Sequence, residues 1–468
     1  MKHIPILSAI LLIGLLGIGA SAFAGVLHVA AYGLDSPACG LQSPCRSISQ
    51  AMENAASGDT IYVGPGLYGD VNADNFTGPG DEHPNPIGGE GYNQPPNAGC
   101  VVCITKPLHI YSTQGAATTV IANDPQSPYG TTVLISSPGV DFGAAGEGFT
   151  LVGGSQAGVT IALFFPVLQD VSVAGNTDNG DAQGFVYFGQ TFSRLPCAPP
   201  LSQGQGFDCR VTGRILIANN QAIGNGTGFS IALNNGGHPA IIVRDNVALG
   251  AGTGFVVQPF GPGSDGSDNP YATNVQLVAN VAMGGGVGFS ASDPGQITYN
   301  MAVKNSQIGF ELNPGGAAFY ANSAIGNGGP GVLIYLNDTN DSISFPEFTP
   351  NTFAPFSGNN FIGNDRNRPA LTVPYFSISP GPGAHCGVLM GIFLPPGFLP
   401  PGSYLFPPPP PGQAPKLAAS DNYWGSADGP SSAEPDADAV GGACNQDGTT
   451  TMATPFSKTP LPVHSGLP

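Results

Sequence analysis

Charge is scarce in this chain of 468 residues. Only 9 % are Asp, Glu, Lys or Arg, and 12 of those are basic. So few cations exclude a phosphate-tracking surface, and the formal charge of −18 repels nucleic acid and anionic membranes. Polyanionic sugars are repelled too, unless Ca²⁺ bridges the two. Histidine is almost as rare, with seven in all and no His-x-x-x-His after residue 24, which removes a usual spacing of zinc and copper sites. Beyond the N-terminus no segment has about 18 unbroken apolar residues, so none reads as a membrane-spanning helix. Long helical periodicity is missing as well. Apolar runs are four or five residues long and soon meet Gly or Asn, as in Ile215-Leu216-Ile217, Ile241-Ile242-Val243 and Val332-Leu333-Ile334-Tyr335. Those are strands.

What the chain has in plenty is glycine (70) and proline (47). Such a composition can mean disorder, but 41 % hydrophobic residues in steady Val, Ile, Leu and Phe runs argue for a buried core. Within residues 214–335 one phrase returns: Asn220-Gln-Ala, Asn246-Val-Ala, Asn280-Val-Ala, Asn300-Met-Ala and Asn322-Ser-Ala. Eight or nine residues after each Asn comes Gly with a hydrophobe, from Gly228-Phe229 through Gly254-Phe255, Gly288-Phe289 and Gly309-Phe310 to Gly331-Val332. A fixed minimum near 21 residues, lengthened by inserts at one place, marks a solenoid. Three short strands and three turns fill a coil of about 21–22 residues.

The fold class expected is therefore all-β, a single-stranded right-handed parallel β-helix with a short N-terminal capping helix. Asn220, Asn246, Asn280, Asn300 and Asn322 form a ladder at a turn that tolerates αL geometry, each amide bonding those above and below. The recurrent Phe stacks inside.

Residues 1–24 read as a signal peptide, with Lys2, an apolar stretch and the small-x-small site Ala22-Phe23-Ala24. Its removal leaves 11 Lys and Arg against 30 Asp and Glu, a formal charge of −19. The expected location is outside the cytoplasm: secreted, periplasmic or on the cell surface. Residues 25–58 form the N-terminal cap, 59–440 the solenoid and 441–468 a tail. Inserts fall at 70–99, 195–209, 259–270 and 394–415, the last Pro-rich and extended. Eight cysteines in an exported chain imply disulfides, and nearest neighbours give Cys39–Cys45, Cys100–Cys103, Cys197–Cys209 and Cys386–Cys444. Cys100-Val-Val-Cys103 lacks a thioredoxin-like βαβ context, so it reads as structural.

Two marks carry a family resemblance. Pro44-Cys-Arg-Ser47-Ile48-Ser-Gln-Ala51 leads into Gly58-Asp59-Thr60-Ile61-Tyr62-Val63-Gly64-Pro65-Gly66-Leu67-Tyr68. Near the other end stands Asn422-Tyr423-Trp424-Gly425 with Gly429-Pro430, holding the single Trp. Together they resemble secreted bacterial right-handed β-helix proteins of the pectate-lyase-like superfamily. There a "Pro-x-x-Ser/Thr-Ile-x-x-Ala" helix caps the first coil, and "Asn-x-Trp-Gly…Gly-Pro" closes the last. The resemblance spans nearly the whole mature chain and implies a fold, not a chemistry.

Enzymes of this fold work in a groove along one face. Asn176-Thr177-Asp178 with Asp181 faintly resembles the first motif of polygalacturonase-like hydrolases, which need one carboxylic acid and one carboxylate. The Gly-His-Gly and Arg-Ile-Lys elements that should follow are absent, since Gly237-His238-Pro239 is no match. A lyase needs a base and a cation beside a uronate carboxylate. Arg210, Arg214, Arg244 and Lys304 are the available cations, and Arg244, Asp245 and Lys304 are expected to share one ridge. As an exposed ion pair they would contribute little. Asp265/Asp268, Asp338/Asp341 and Asp436/Asp438 offer oxygen ligands for Ca²⁺ without a defined loop, and no other cofactor is implied. The expected function is a non-catalytic surface or extracellular module that binds a glycan or a partner. The alternative is a polysaccharide lyase or hydrolase acting in the groove. Distant similarity to periplasmic β-helix accessory proteins for metal or cofactor insertion supplies a third option.

Overall fold

The computed structural model describes residues 24–72, 76, 80–84, 99–124, 129–163, 170–188, 213–233, 240–259, 275–292, 295–313, 318–337, 355–366, 384–393, 416–431, 436–445 and 450–463. Residues 1–23 of the signal-peptide reading, inserts 195–209 and 394–415, most of 70–99 and 259–270 and the pair Cys197–Cys209 lie outside these.

Three parallel sheets wind around one axis, with 11, 10 and 10 strands. The first runs from Val26–Val29 to Phe356–Ser357, the second from Cys100–Ile104 to Val388–Phe393, and the third from Gly66–Gly69 to Asn360–Ile362. Each coil gives one strand to each sheet in the order first, third, second, and every pairing between coils is parallel. This is the right-handed parallel β-helix expected from the repeat.

Register explains the repeated phrase residue by residue. Phe185, Phe229, Phe255, Phe289 and Phe310 are consecutive partners in the second sheet. Their rings stack inside at centroid distances of 5.0, 4.7, 4.7 and 4.7 Å. Burying each ring stabilises the fold by roughly 1.5–3 kcal/mol, with stacking adding to that. The Ala of each Asn-x-Ala is needed because the corner opposite has no room. A methyl on Gly254 would stand 2.7 Å from Ala282 Cβ and 2.6 Å from the Gly288 carbonyl oxygen. Ala and Gly thus form two facing columns, and a larger residue in either one must push them apart.

Asn220, Asn246, Asn280, Asn300 and Asn322 stand in one column, all fully buried. Asn280 shows the pattern: its backbone N–H and Nδ2 donate to Asn300 Oδ1 at 2.9 and 3.0 Å, and Nδ2 also donates to the Val243 carbonyl at 2.9 Å. The ladder is longer than the sequence phrase, running from Asn176 through Asn359 to Asn422. One expectation is corrected. The αL residue is not the Asn but the residue before it, with positive φ at Asn219, Asp245, Ala279, Tyr299 and Ala321. That twist turns the following amide inward, where it can reach the next coil.

A second column went unread in the sequence. Asn305, Asn327 and Asn364 follow the first Asn by five residues, each donating to the next, and Asp438 ends the run by accepting from Asn364 N and Nδ2 at 3.0 and 2.7 Å.

The cap helix is Ile48–Asn54, with Ser47 as its N-cap and Ile48, Ala51 and Met52 buried over the first coils. Insert 70–99 returns a carboxylate to it. Glu82 accepts from Ile48 N, Ser49 N and Ser49 Oγ at 2.9, 2.6 and 2.6 Å. Its burial still raises the carboxyl pKa above the ordinary range, because those bonds only partly offset desolvation. At the far end Trp424 is fully buried and stacks on Phe361 at 4.7 Å. Disulfides join Cys39–Cys45, Cys100–Cys103 and Cys386–Cys444. Among the described residues no helix is long and apolar enough to cross a membrane.

Inserts 195–209 and 259–270 leave the corner between a second-sheet strand and the next first-sheet strand, whereas 394–415 follows the last second-sheet strand and leads to Lys416–Ala418, which pairs with Thr450–Met452 in a separate two-stranded sheet. Insert 70–99 leaves a different corner, between the third and second sheets.

Candidate functional site

The five candidate side chains fall into three separate places. Arg244 and Asp245 form an ion pair with each other, Nη1 to Oδ2 at 2.6 Å, with the arginine exposed. Lys304 does not join them. Asp245 lies in the column Asn219, Asp245, Ala279, Tyr299, ahead of the ladder, while Lys304 lies in the column Gly224, Gly250, Gly284, Lys304, Gly326, beyond the third-sheet strand. A strand of three residues separates these turns, so the expected shared ridge does not form. Arg214 is exposed at the start of its strand, and Arg210 lies outside the described residues.

Asp178 and Asp181 are inside the solenoid, at 0 % and 3 % exposure. Asp178 takes the inward position that Ala222, Ala248, Ala282, Ala302 and Ala324 hold in later coils. It fits only because its neighbour is Gly158, where a methyl would stand 1.9 Å from Asp178 Oδ1. Asn225 Nδ2 donates to Asp178 Oδ2 and, at 3.2 Å, to the Asp181 carbonyl. Burial raises the Asp178 pKa first, and the adjacent Asp181 charge raises it further. Burial raises Asp181 as well, while the bond from Asp178 and the amides of Gly154 and Gly153 pull it back. The pair is hidden from any groove substrate.

Of the Ca²⁺ candidates, Asp438 is buried at the end of the second Asn column and Asp436 lies on the surface side of it; Asp265, Asp268, Asp338 and Asp341 lie outside the described residues. Burial pushes the Asp438 carboxyl up to about 8, against the bonds from Asn364 and the Arg366 charge. No group of three or more His, Cys, Asp or Glu side chains among the described residues is arranged to hold a metal.

Two surface features were not legible beforehand. A cleft of about 340 Å³ lies beside the cap helix, lined by Glu53, His83, Cys103 and Lys106 among others. Its charged groups are already engaged: His83 with Glu53, and Lys106 with the carbonyls of Glu53 and Ala55 at the helix end. The second feature is a row on the outer face of the first sheet. His28, Tyr62 and Tyr111 are register partners, half-buried, with ring centroids 6.1 and 6.2 Å apart. Beside them Asp141 Oδ2 lies 2.7 Å from His109 Nδ1 and accepts from the Tyr111 hydroxyl at 3.2 Å. His109 and Asp141 remain 36 % and 38 % exposed. Burial and the Asp141 charge raise the Tyr111 pKa, so the phenol stays a donor. The only hint in the sequence is that His28, Tyr62 and Tyr111 each follow an inward residue of their strand.

No protein-family model matches the chain, and no curated protein matches it. Among solved structures it is similar to the mannuronan C-5 epimerase AlgE6 A-module of Azotobacter vinelandii, at 14 % identity over 68 % of this chain and 71 % of that one, with a TM-score of 0.30. The fold assignment rests on the sheet topology above.

Proposed function

We propose that this is an exported, non-catalytic β-helix that binds a glycan on the outer face of its first coils. The observation that carries the reading is the row His28–Tyr62–Tyr111 beside the hydrogen-bonded Asp141 and His109. A sugar offers C–H faces and hydroxyls together, and half-exposed rings next to a carboxylate and an imidazole answer both. The acidic chain favours a neutral glycan over a polyanionic one. Export is supported by the N-terminal leader pattern and by three disulfides.

Retention on a panel of neutral and uronate polysaccharides, with and without Ca²⁺, tests this reading. Tyr62→Ala and Asp141→Ala are each expected to weaken binding about tenfold, the equivalent of roughly 1.4 kcal/mol. Full retention by both variants removes the site. A depolymerisation assay covers the catalytic alternative: turnover abolished by Asp245→Ala or Lys304→Ala overturns the non-catalytic reading.

A further inference from the structure

We propose that Asp178 and Asp181 form a proton-binding site inside the solenoid, and that one shared proton holds their coil against its neighbours. The position itself supplies the argument. The next five coils place Ala where Asp178 stands and the coil before places Leu151, so the column is otherwise apolar on both sides of the acid. A carboxyl in that column touches the Gly158 backbone on one side and Asn225 on the other. Asp178 Oδ1 and Asp181 Oδ2 receive no N–H or other protein donor, and the two carboxyls face each other. Two carboxylates that close cannot both ionise in a buried corner, whereas one proton between them satisfies both oxygens.

No counter-ion competes for the role. The strands packed around the pair are Thr150–Val152, Ala157–Ala162, Gln183–Phe188 and Gln221–Ile223, and their only titratable side chain is the buried Tyr187. Arg214, in the first-sheet strand of the following coil, is exposed. Asn225 gives its Nδ2 hydrogens to Asp178 and to the Asp181 carbonyl, tying the next coil to the protonated pair.

Folding raises the affinity of both carboxyls for a proton, so the folded state binds more protons than the unfolded chain above the ordinary Asp range. The stabilisation is complete below about pH 4 and is lost as pH rises through the folded values. The site therefore makes the solenoid tight in acid and looser in alkaline surroundings.

Thermal melting of the full chain between pH 5 and 9 tests this. The wild-type midpoint is expected to fall with pH by roughly 1–2 °C per unit. Asp178→Asn, which keeps a donor toward Asp181 and cannot ionise, is expected to lower that slope, with buried Asp438 and Glu82 carrying the remainder, while Asp245→Asn at the surface leaves it unchanged. If Asp178→Asn folds poorly, Asp178→Ala supplies the residue of the next five coils and serves the same comparison. An unchanged slope in the substituted protein overturns the proposal. So does Ca²⁺ that restores the alkaline midpoint of the wild type but not of the variant, because the occupant is then a cation.

Discussion

The coils before Asn176 and those after it solve the same problem with different means. From Asn176 on, the turn from first to third sheet is two residues, an αL residue and an Asn, and the ladder follows. Before it, the turns after His109–Ser112 and Val140–Phe142 are longer, and no Asn column forms there. Ser112 Oγ accepts from Gly115 N to close one of these loops locally. That end instead carries a cap helix, two of the three disulfides among the described residues, and the carboxylates of Asp35 and Glu82 on the helix start. Repetition can replace staples only where the turn is short enough to put each amide directly over the next.

Cutting into the repeated half sharpens this contrast most. Asn280→Ala removes a side chain that gives two hydrogen bonds and takes two. Leaving those partners buried and unpaired is expected to cost about 3–5 kcal/mol in denaturant unfolding. A loss below about 1 kcal/mol would mean that the ladder contributes little beyond the sheets. Gly254→Ala comes next, at about 1–3 kcal/mol, since the added methyl overpacks the facing Ala282.

In the stapled half, replacing Cys39 and Cys45 with Ser opens a short loop and is expected to cost roughly 2 kcal/mol by the same measurement. Asp438→Asn tests the far end of the second column through pH. The carboxyl is favoured protonated, so wild-type stability attributable to it is present below about pH 4 and lost as pH rises through about 8. The variant should flatten that fall in a pH series of melting curves. Smallest of all, Arg244→Ala breaks an exposed pair and is expected to change stability by less than about 0.5 kcal/mol.

The same contrast decides what the sequence could reveal. Asn-x-Ala and Gly-Phe are legible because each sits at a fixed offset in a short coil, so period alone places them in columns. The Asn300/Asn305, Asn322/Asn327 and Asn359/Asn364 spacings carried an equal signal for the second column, hidden by the louder first phrase. Glu82 was illegible because an insert brings it to the helix, and no period links 82 to 48. Asp178 was visible as an acid beside a ladder Asn, but its burial follows from Gly158 in another sheet. Lys304 misled for the converse reason: four residues in sequence are a whole strand away in this fold. His28, Tyr62 and Tyr111 belong to coils of unequal length, so nothing periodic announced them.

In the coils from Asn176 to Asn337 two of the three corners stay short, one set by the Asn turn and one by the packed Gly and Ala. The third absorbs segments from 293–295 up to 189–213, with the strands on either side keeping their register. A foreign peptide spliced between Ser292 and Gln296 should therefore leave the thermal midpoint nearly unchanged, which makes this corner a natural place for grafting epitopes or affinity tags.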